Sequence, residues 1–301
     1  GLDINLGNQN LTWEVTTQAD IGVDLGFLNN RYSLTFDYYD KSTDGLLQNK
    51  QLPPSSGFIQ TRANLGTIKN SGIELAIKAG IIENTNFNWS TGLTFSNNKT
   101  EVVNLGDANV IIEGKNLVNG LISEPSNIMQ QGKPFGAFMG YRVEGLLQAD
   151  DFDTNGEPLV PLFNSERTLG SWKYKDLNND GVINSADREI IGDPNPDFTM
   201  GWTNNFSYKR FSLSTVVYAS VGADILHAMR AFNYTGTSKF NGRSEWYQDR
   251  WTQENQHNNP LYPSYTPNTN LQVNDQMVED GTYIRLNNVT LSYQIPSFSV
   301  F

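Results

Sequence analysis

The stretch V-T-T-Q-A-D-I-G-V-D-L-G-F (Val15–Phe27) alternates side chains of two kinds along its whole length. Every second residue from Val15 to Leu25 is apolar or threonine, whereas the residues between them include Gln18, Asp20 and Asp24. Successive side chains of a β-strand point to opposite faces, so a period of two predicts a strand with one apolar and one polar face.

The same alternation recurs along the chain and predicts an all-β fold. Further strands are predicted at 31–38, 73–79, 87–103, 197–208, 211–221 and 282–294. In the last of these, the apolar face shifts from Ile284 and Leu286 to Val289, which predicts a β-bulge at Asn287-Asn288. Alternation this regular indicates an antiparallel sheet.

The connections between these strands fall into two classes. Residues 28–30, 82–86 and 209–210 are predicted tight turns, whereas 42–66, 148–197 and 226–281 are long connections. Short turns at one end and long extracellular loops at the other are typical of a transmembrane β-barrel. The alternative is a soluble sandwich, in which a second sheet would cover the apolar faces.

Composition excludes several classes of function. The 301 residues carry a net charge of −11, which disfavours nucleic-acid binding because that needs a basic surface. The absence of cysteine excludes disulfides, thiolate zinc sites and thiol nucleophiles. His227 and His257 lie in a predicted loop, and no residue stands at a spacing that would make it their catalytic partner. The acidic pair Asp150-Asp151 is predicted to lie in a solvated loop. We therefore predict that the chain is not an enzyme.

The direction of the strands predicts how many of them cross the membrane. If the tight turns share one side, strand 87–103 runs outward and strand 197–208 runs inward, and an even number of strands separates them. Residues 126–131 and 136–147 supply such a pair, giving about nine strands. The alternative is that 126–131 is only a loop.

A second motif, K-D-L-N-N-D-G-V-I-N-S-A-D (175–187), has the spacing of a calcium-binding loop. Counted from Asp176 as the first position, residues with oxygen-bearing side chains alternate, Gly181 is at the sixth position and the carboxylate of Asp187 is at the twelfth. The closing residue is Asp where an EF-hand has Glu, so the loop looks more like a dockerin loop. The predicted ligands of a structural Ca²⁺ ion, with Mg²⁺ as the weaker competitor, are Asp176, Asn178, Asp180, the Val182 carbonyl, Asn184 and Asp187. The alternative is a cluster of Asx turns held by its own hydrogen bonds.

Five longer segments of the chain form a recognisable series. They are N-L-T-W-E-V-T-T-Q-A-D-I-G-V-D-L-G-F (10–27), F-D-Y-Y-D-K-S-T-D-G-L-L (36–47), N-L-G-T-I-K-N-S-G-I-E-L (64–75), Y-K-D-L-N-N-D-G-V-I-N-S-A-D-R-E-I-I-G-D-P-N-P-D-F (174–198) and V-E-D-G-T-Y-I-R-L-N-N-V-T-L-S-Y-Q-I-P (278–296). Together they resemble the C-terminal part of the barrel of SusC-like TonB-dependent outer-membrane transporters. The resemblance covers essentially the whole chain.

This resemblance implies a plugged barrel of about 22 strands in the outer membrane of a Gram-negative, Bacteroidota-like bacterium. Residues 1–301 would be an incomplete part of it, joined to the remainder of its own barrel. Residues 148–197 would form an extracellular loop containing the calcium-binding loop 176–187. The expected partners are a SusD-like surface lipoprotein that acts as a lid, and TonB, reached through an N-terminal part outside this chain.

The expected function is active import of oligomeric nutrients, either glycan or peptide. The long loop before the last strand carries aromatic residues that could contact the ligand or the lid protein: Trp246, Tyr247, Trp251, Tyr262 and Tyr265. These rings could instead hold the loop together. The alternative function, from another class, is a secreted soluble calcium-binding β-domain that mediates protein interaction.

Overall fold

The computed structural model describes residues 5–106, 110–113, 125–230, 243–265 and 272–296. Its strands are β1 (Asn5–Leu6), β2 (Val15–Phe27), β3 (Tyr32–Asp44), β4 (Leu47–Gln51), β5 (Gln60–Asn64), β6 (Thr67–Glu83), β7 (Phe87–Asn104), β8 (Val110–Glu113), β9 (Asn127–Gln130), β10 (Ala137–Tyr141), β11 (Val143–Leu146), β12 (Trp172–Tyr174), β13 (Arg188–Gly192), β14 (Phe198–Tyr208), β15 (Phe211–Val221), β16 (Asp224–Leu226), β17 (Val278–Asp280) and β18 (Tyr283–Tyr293). The helix α1 (Ser244–Asp249) lies between β16 and β17. None of the helices in the described ranges is long and apolar enough to span a bilayer.

The seven long strands form one antiparallel sheet in the order β18-β15-β14-β7-β6-β3-β2. Pairing is continuous over long distances: β2 and β3 stay in register from Val15 opposite Asp44 to Phe27 opposite Tyr32. Strict alternation favours this, because a slip of one residue would move every apolar side chain to the polar face. The predicted antiparallel all-β fold is confirmed.

The two faces of this sheet differ in polarity. On one face, the large apolar side chains of Ile21, Trp202 and Leu291 are 71%, 48% and 70% exposed. On the other, Asp37 lies directly opposite Glu74. A wide exposed apolar face is stable against lipid and not against water, whereas a water-filled lumen solvates the carboxylates. The sheet is therefore a segment of a transmembrane β-barrel, as predicted.

Short and long connections alternate between the two ends of the sheet. At one end, residues 28–31, 84–86 and 209–210 are tight turns, and Leu28, Asn29, Asn30 and Lys209 have positive φ angles of 51–63°. At the other end, residues 45–66, 105–197 and 222–282 are long connections. This confirms the asymmetry that the sequence predicts.

The predicted count of nine membrane strands is wrong for the described residues, where the large sheet has seven. Strand β14 pairs directly with β7, from Tyr208 opposite Phe87 to Thr199 opposite Ser96. The requirement that an even number of strands separates β7 from β14 is still met, because no strand of the large sheet lies between them and zero is even. Strands β9 and β10 exist, but they pair with β8 and β13 in a small separate sheet. The long connection thus begins after Asn104 rather than at residue 148.

The predicted bulge in the last strand is confirmed. Val216 pairs with Asn288 and Val217 with Leu286, so Asn287 is the extra residue. One extra residue restores the apolar phase, because Leu286 and Val289 can then face the same side.

The well-packed core lies in the long connections rather than in the sheet. Among the largest fully buried side chains of the described residues, only Val102 belongs to the seven long strands. The others include Tyr141, Leu146, Val273 and Met277, which lie in connections 105–197 and 222–282. These connections therefore form a folded unit with its own core.

Candidate functional site

Two long connections meet and pack as one body, which we call the extracellular unit after the side of the membrane that the sequence predicts for it (residues 125–197 and 222–282, as far as described). The Trp172 indole donates to the Pro260 carbonyl at 2.8 Å, and the Leu146 amide donates to Asn258 Oδ1 at 2.7 Å. The Ser264 amide donates to the Gly170 carbonyl at 2.8 Å. Backbone groups paired across two connections fix their relative position.

The loop 176–187 lies within this unit, between β12 and β13. Asp176 Oδ2 accepts from the Gly181 amide at 2.8 Å, and Asn178 Oδ1 accepts from the Asp180 amide at 2.9 Å. Asp180 Oδ1 accepts from the Val182 amide at 2.9 Å. Gly181 has φ +82°, a conformation that glycine adopts without strain. The chain therefore wraps as the twelve-residue motif requires, through Asx-type hydrogen bonds.

Asp187 closes the loop from a fully buried position. Its Oδ1 accepts from the Leu177 amide at 2.9 Å and its Oδ2 from the Asn184 amide at 2.8 Å. Asn184 in turn caps the following 3₁₀ turn, accepting from the Ala186 amide. Both carboxylate oxygens of Asp187 thus hold backbone amides, which satisfies this buried charge without an ion.

Asp176 differs, because its Oδ1 is buried and accepts no hydrogen bond. A carboxylate oxygen left unsatisfied in this way is a position that a cation would stabilise. In the described part of the chain, however, no three acidic or histidine side chains are grouped as metal ligands. The calcium site stays a prediction, with Asp176 as its best-supported ligand.

The loop is anchored by Ile183, which packs with Tyr141, Phe163 and Tyr174. The ring centroids of these three aromatic residues lie 5.2–5.9 Å apart, in tilted and edge-on arrangements that favour aromatic contact. The side chain at the eighth loop position therefore ties the loop to the core of the extracellular unit.

The five candidate contact aromatics divide into two groups. Trp246 and Trp251 are 4% and 6% exposed, and their indoles donate to the Pro263 carbonyl and to Gln148 Oε1. Tyr262 is half-buried. The structure places these three in loop packing, whereas Tyr247 and Tyr265 expose 68% and 50% of their surface and can meet a ligand or a lid.

A charged cluster that the sequence reading missed joins β16 to β17. Glu279 Oε1 lies 3.0 Å from His227 Nδ1 and 2.9 Å from the Arg230 guanidinium. The hydrogen bond from His227 and the charge of Arg230 lower the pKa of Glu279 from its ordinary value of 4.5. The partners stand 52 and 49 residues away in sequence, so no local spacing could have indicated them.

Acidification is expected to loosen this pair of strands. A lowered folded-state pKa stabilises the fold above the unfolded pKa of 4.5, and this contribution is lost as pH falls through the folded value. Hydrogen exchange at residues 224–226, corrected for intrinsic rates, should therefore accelerate below pH 4.5. Glu279→Gln should exchange faster at pH 7 and show a smaller further change on acidification, the remainder coming from Asp280 of β17, whose pKa is lowered by hydrogen bonds from Thr282. An equal acid response in both proteins would contradict the assignment.

Known proteins resemble this chain over nearly its whole length. Residues 1–120 match the family described as TonB dependent receptor-like, beta-barrel. TonB-dependent receptor P3 of Formosa agariphila is 33% identical over 296 residues, which cover 97% of this chain and 28% of that protein. TonB-dependent receptor SusC of Bacteroides thetaiotaomicron is 26% identical over 294 residues, 95% of this chain and 26% of that protein.

Among solved structures, the RagAB peptide transporter matches with a TM-score of 0.75 at 22% identity, over 97% of this chain and 30% of that one. At this identity the likeness shows the fold alone. The chain spans less than a third of the length of each of these relatives. The seven-stranded sheet, the family match and the related sequences agree, and the chain is a segment of the β-barrel of a SusC-like TonB-dependent receptor.

Proposed function

We propose that the protein to which this chain belongs imports oligomeric nutrients, peptide or glycan, across the outer membrane. The observation that carries the proposal is a folded extracellular unit on one end of a membrane sheet. A closed barrel that carries such a unit can capture a substrate outside the cell and release it on the periplasmic side. The related proteins are TonB-dependent receptors and a peptide transporter, which supports import rather than catalysis.

The proposed partners are a SusD-like surface lipoprotein over the extracellular unit, and TonB. TonB contact is assigned to a part of the protein outside this chain, and the rest of the barrel completes the edges at β2 and β18. A secreted soluble β-domain is not favoured, because it would leave the apolar face of the sheet in water.

The experiment is purification of the intact transporter from native outer membranes, followed by mass spectrometry of what accompanies it. A surface lipoprotein and bound oligomers are expected, and uptake of those oligomers should stop when TonB is deleted. An isolated barrel without lipoprotein, together with uptake that is unaffected by TonB loss, would contradict the proposal.

Topology gives a second expected result. A small epitope tag inserted between Asn155 and Gly156 should be labelled in intact cells, because it lies in the long connection 105–197. The same tag between Asn29 and Asn30 should be labelled only after the outer membrane is permeabilised. Reversed labelling would invert the barrel and place the extracellular unit in the periplasm.

A structural calcium ion in loop 176–187 forms part of the proposal. Asp176, through its unpaired Oδ1, and Asp180 would hold it, with Asn178 and the Val182 carbonyl as neutral ligands. Oxygen donors of this type suit Ca²⁺, whereas Mg²⁺ demands a tighter octahedron. Asn184 and Asp187 accept backbone amides, as Asn178 and Asp180 do, so each of these four would bind the ion through a remaining lone pair.

Calcium is expected to protect the loop from hydrogen exchange, and Asp180→Ala should abolish that protection while barrel assembly continues. The matched control is Asp153→Ala, which removes an Asx turn from the same connection: Asp153 Oδ1 accepts from the Asn155 and Glu157 amides, each at 2.8 Å. The control should retain the response to calcium. Exchange that is indifferent to calcium in the wild-type protein would reject the ion and leave the Asx-turn interpretation.

A further inference from the structure

Arg250 follows α1 and is held between two aromatic side chains of the extracellular unit. Its guanidinium carbon lies 5.2 Å from the ring centroid of Trp246 and 4.9 Å from that of Tyr247. Trp246 is itself fixed, being buried and donating through its indole to the Pro263 carbonyl at 3.1 Å. The two cation–π contacts, one of them to the fixed ring of Trp246, restrict the orientation of the guanidinium before any ligand binds.

The side-chain donors of Arg250 have no acceptor among the residues that the structure describes. Within the described residues, its guanidinium forms neither an ion pair nor a hydrogen bond, and the neighbouring carboxylates of Glu245 and Asp249 do not pair with it. Two other arginines of the unit behave differently: Arg167 contacts Glu157 at 2.9 Å, and Arg230 contacts Glu279 at 2.9 Å. Arg250 is half-buried, so water can hydrogen-bond to only some of its N–H groups.

We propose that Arg250 binds a carboxylate of the transported substrate, an inference that rests on the import function proposed above. A guanidinium presents a planar fork of donors that matches a carboxylate through two parallel hydrogen bonds. Tyr247, 68% exposed beside it, offers a ring face to the part of the substrate next to the carboxylate. In a chain of net charge −11, an oriented cation that pairs with no described carboxylate determines where an anionic ligand can bind.

Two substrate types carry this group: a peptide with a free C-terminus, and an acidic oligosaccharide with uronate residues. Binding to the full-length transporter with its lipoprotein would be measured for four probes. These are tetra-alanine, tetra-alanine amide, trigalacturonate and the methyl ester of trigalacturonate. Wild type would be compared with Arg250→Gln, Arg250→Lys and the matched control Arg167→Gln.

For the wild-type protein, one free acid is expected to bind about tenfold more tightly than its neutral counterpart, as one charge-assisted contact provides. Arg250→Gln should erase that preference without weakening the neutral probe, Arg250→Lys should restore it in part, and Arg167→Gln should leave it unchanged. The acid that shows the preference identifies the substrate type. Unchanged hydrogen exchange in residues 243–265 would show that Arg250→Gln keeps the fold.

Equal binding of acid and neutral probes by wild type and Arg250→Gln would overturn the carboxylate site. The proposed import function would be unaffected, and the role of Arg250 would be to pack against Trp246 and Tyr247. Equal loss of acid and neutral binding in Arg250→Gln would overturn it as well, because the effect would not depend on charge. Failure of all four probes to bind, together with uptake that does not need TonB, would overturn both the site and the proposed function.

Discussion

Replacing Leu75 with arginine is expected to destabilise the barrel by about 2–4 kcal/mol, since this is the penalty for a cation on the lipid face near the bilayer midplane. Leu75 is at the middle of β6, opposite Phe36 on one neighbour and Phe95 on the other. All three side chains share the apolar face. The change would be measured as the shift in free energy of unfolding by urea in lipid vesicles.

The adjacent residue provides the matched control. Glu74 points to the polar face, opposite Asp37 and Ser96. Glu74→Arg replaces one of two facing carboxylates with a cation in a wet lumen, so its effect should be much smaller or slightly favourable. Equal destabilisation by the two substitutions would mean that the faces are assigned wrongly.

Truncation of Trp251 to alanine is expected to cost the extracellular unit about 3–5 kcal/mol of local stability, the usual range for a buried tryptophan. The ring packs over Gly170 so closely that a Cβ there would lie 2.5 Å from it, and its indole contacts Gln148. Both contacts join the second connection to the first, so their loss should separate the two. Hydrogen exchange should rise in residues 145–174 and 243–265 while strands β2 and β3 remain protected.

Tyr247→Ala is the control for this change, because Tyr247 is an aromatic residue of the same loop but mostly exposed. It should leave exchange in the unit nearly unchanged. Comparable exchange in the two variants would imply that the tryptophan is not a structural anchor and would reopen its assignment as a ligand or lid contact.

Much of the membrane sheet was predictable because its signal is local. A period of two over 13 residues in β2 defines both the strand and its two faces. The bulge at Asn287 was readable for the same reason, as a change of phase within one strand. The ends of the strands were marked by Asn-containing turns and by Lys209-Arg210, whose backbone conformations are set by neighbouring residues.

The failure of the nine-strand prediction has a different cause. Strands β9 and β10 are only four and five residues long, and short extended segments of a loop core have no feature that separates them from membrane strands. Their partners are decided by pairing across distance. β10 pairs with β13, and the paired residues Tyr141 and Arg188 are 47 residues apart in the sequence. This pairing leaves β7 free to pair with β14.

By itself, the sequence determined which faces of the long strands are apolar, where the tight turns lie and which oxygen-bearing residues recur through loop 176–187. Each of these depends on residues within a few positions of one another, so local sterics and side-chain period decide them. Only the tertiary structure decided that both oxygens of Asp187 accept backbone amides, that Trp246 and Trp251 pack inside the unit and that Arg250 lies beside Tyr247 without an ion pair to any described residue. Those outcomes depend on how each loop folds within the unit: the ring of Trp251 packs on Gly170 of the other connection, and Asp187 accepts the Leu177 amide ten residues away. The spacing of residues along the sequence does not contain that information.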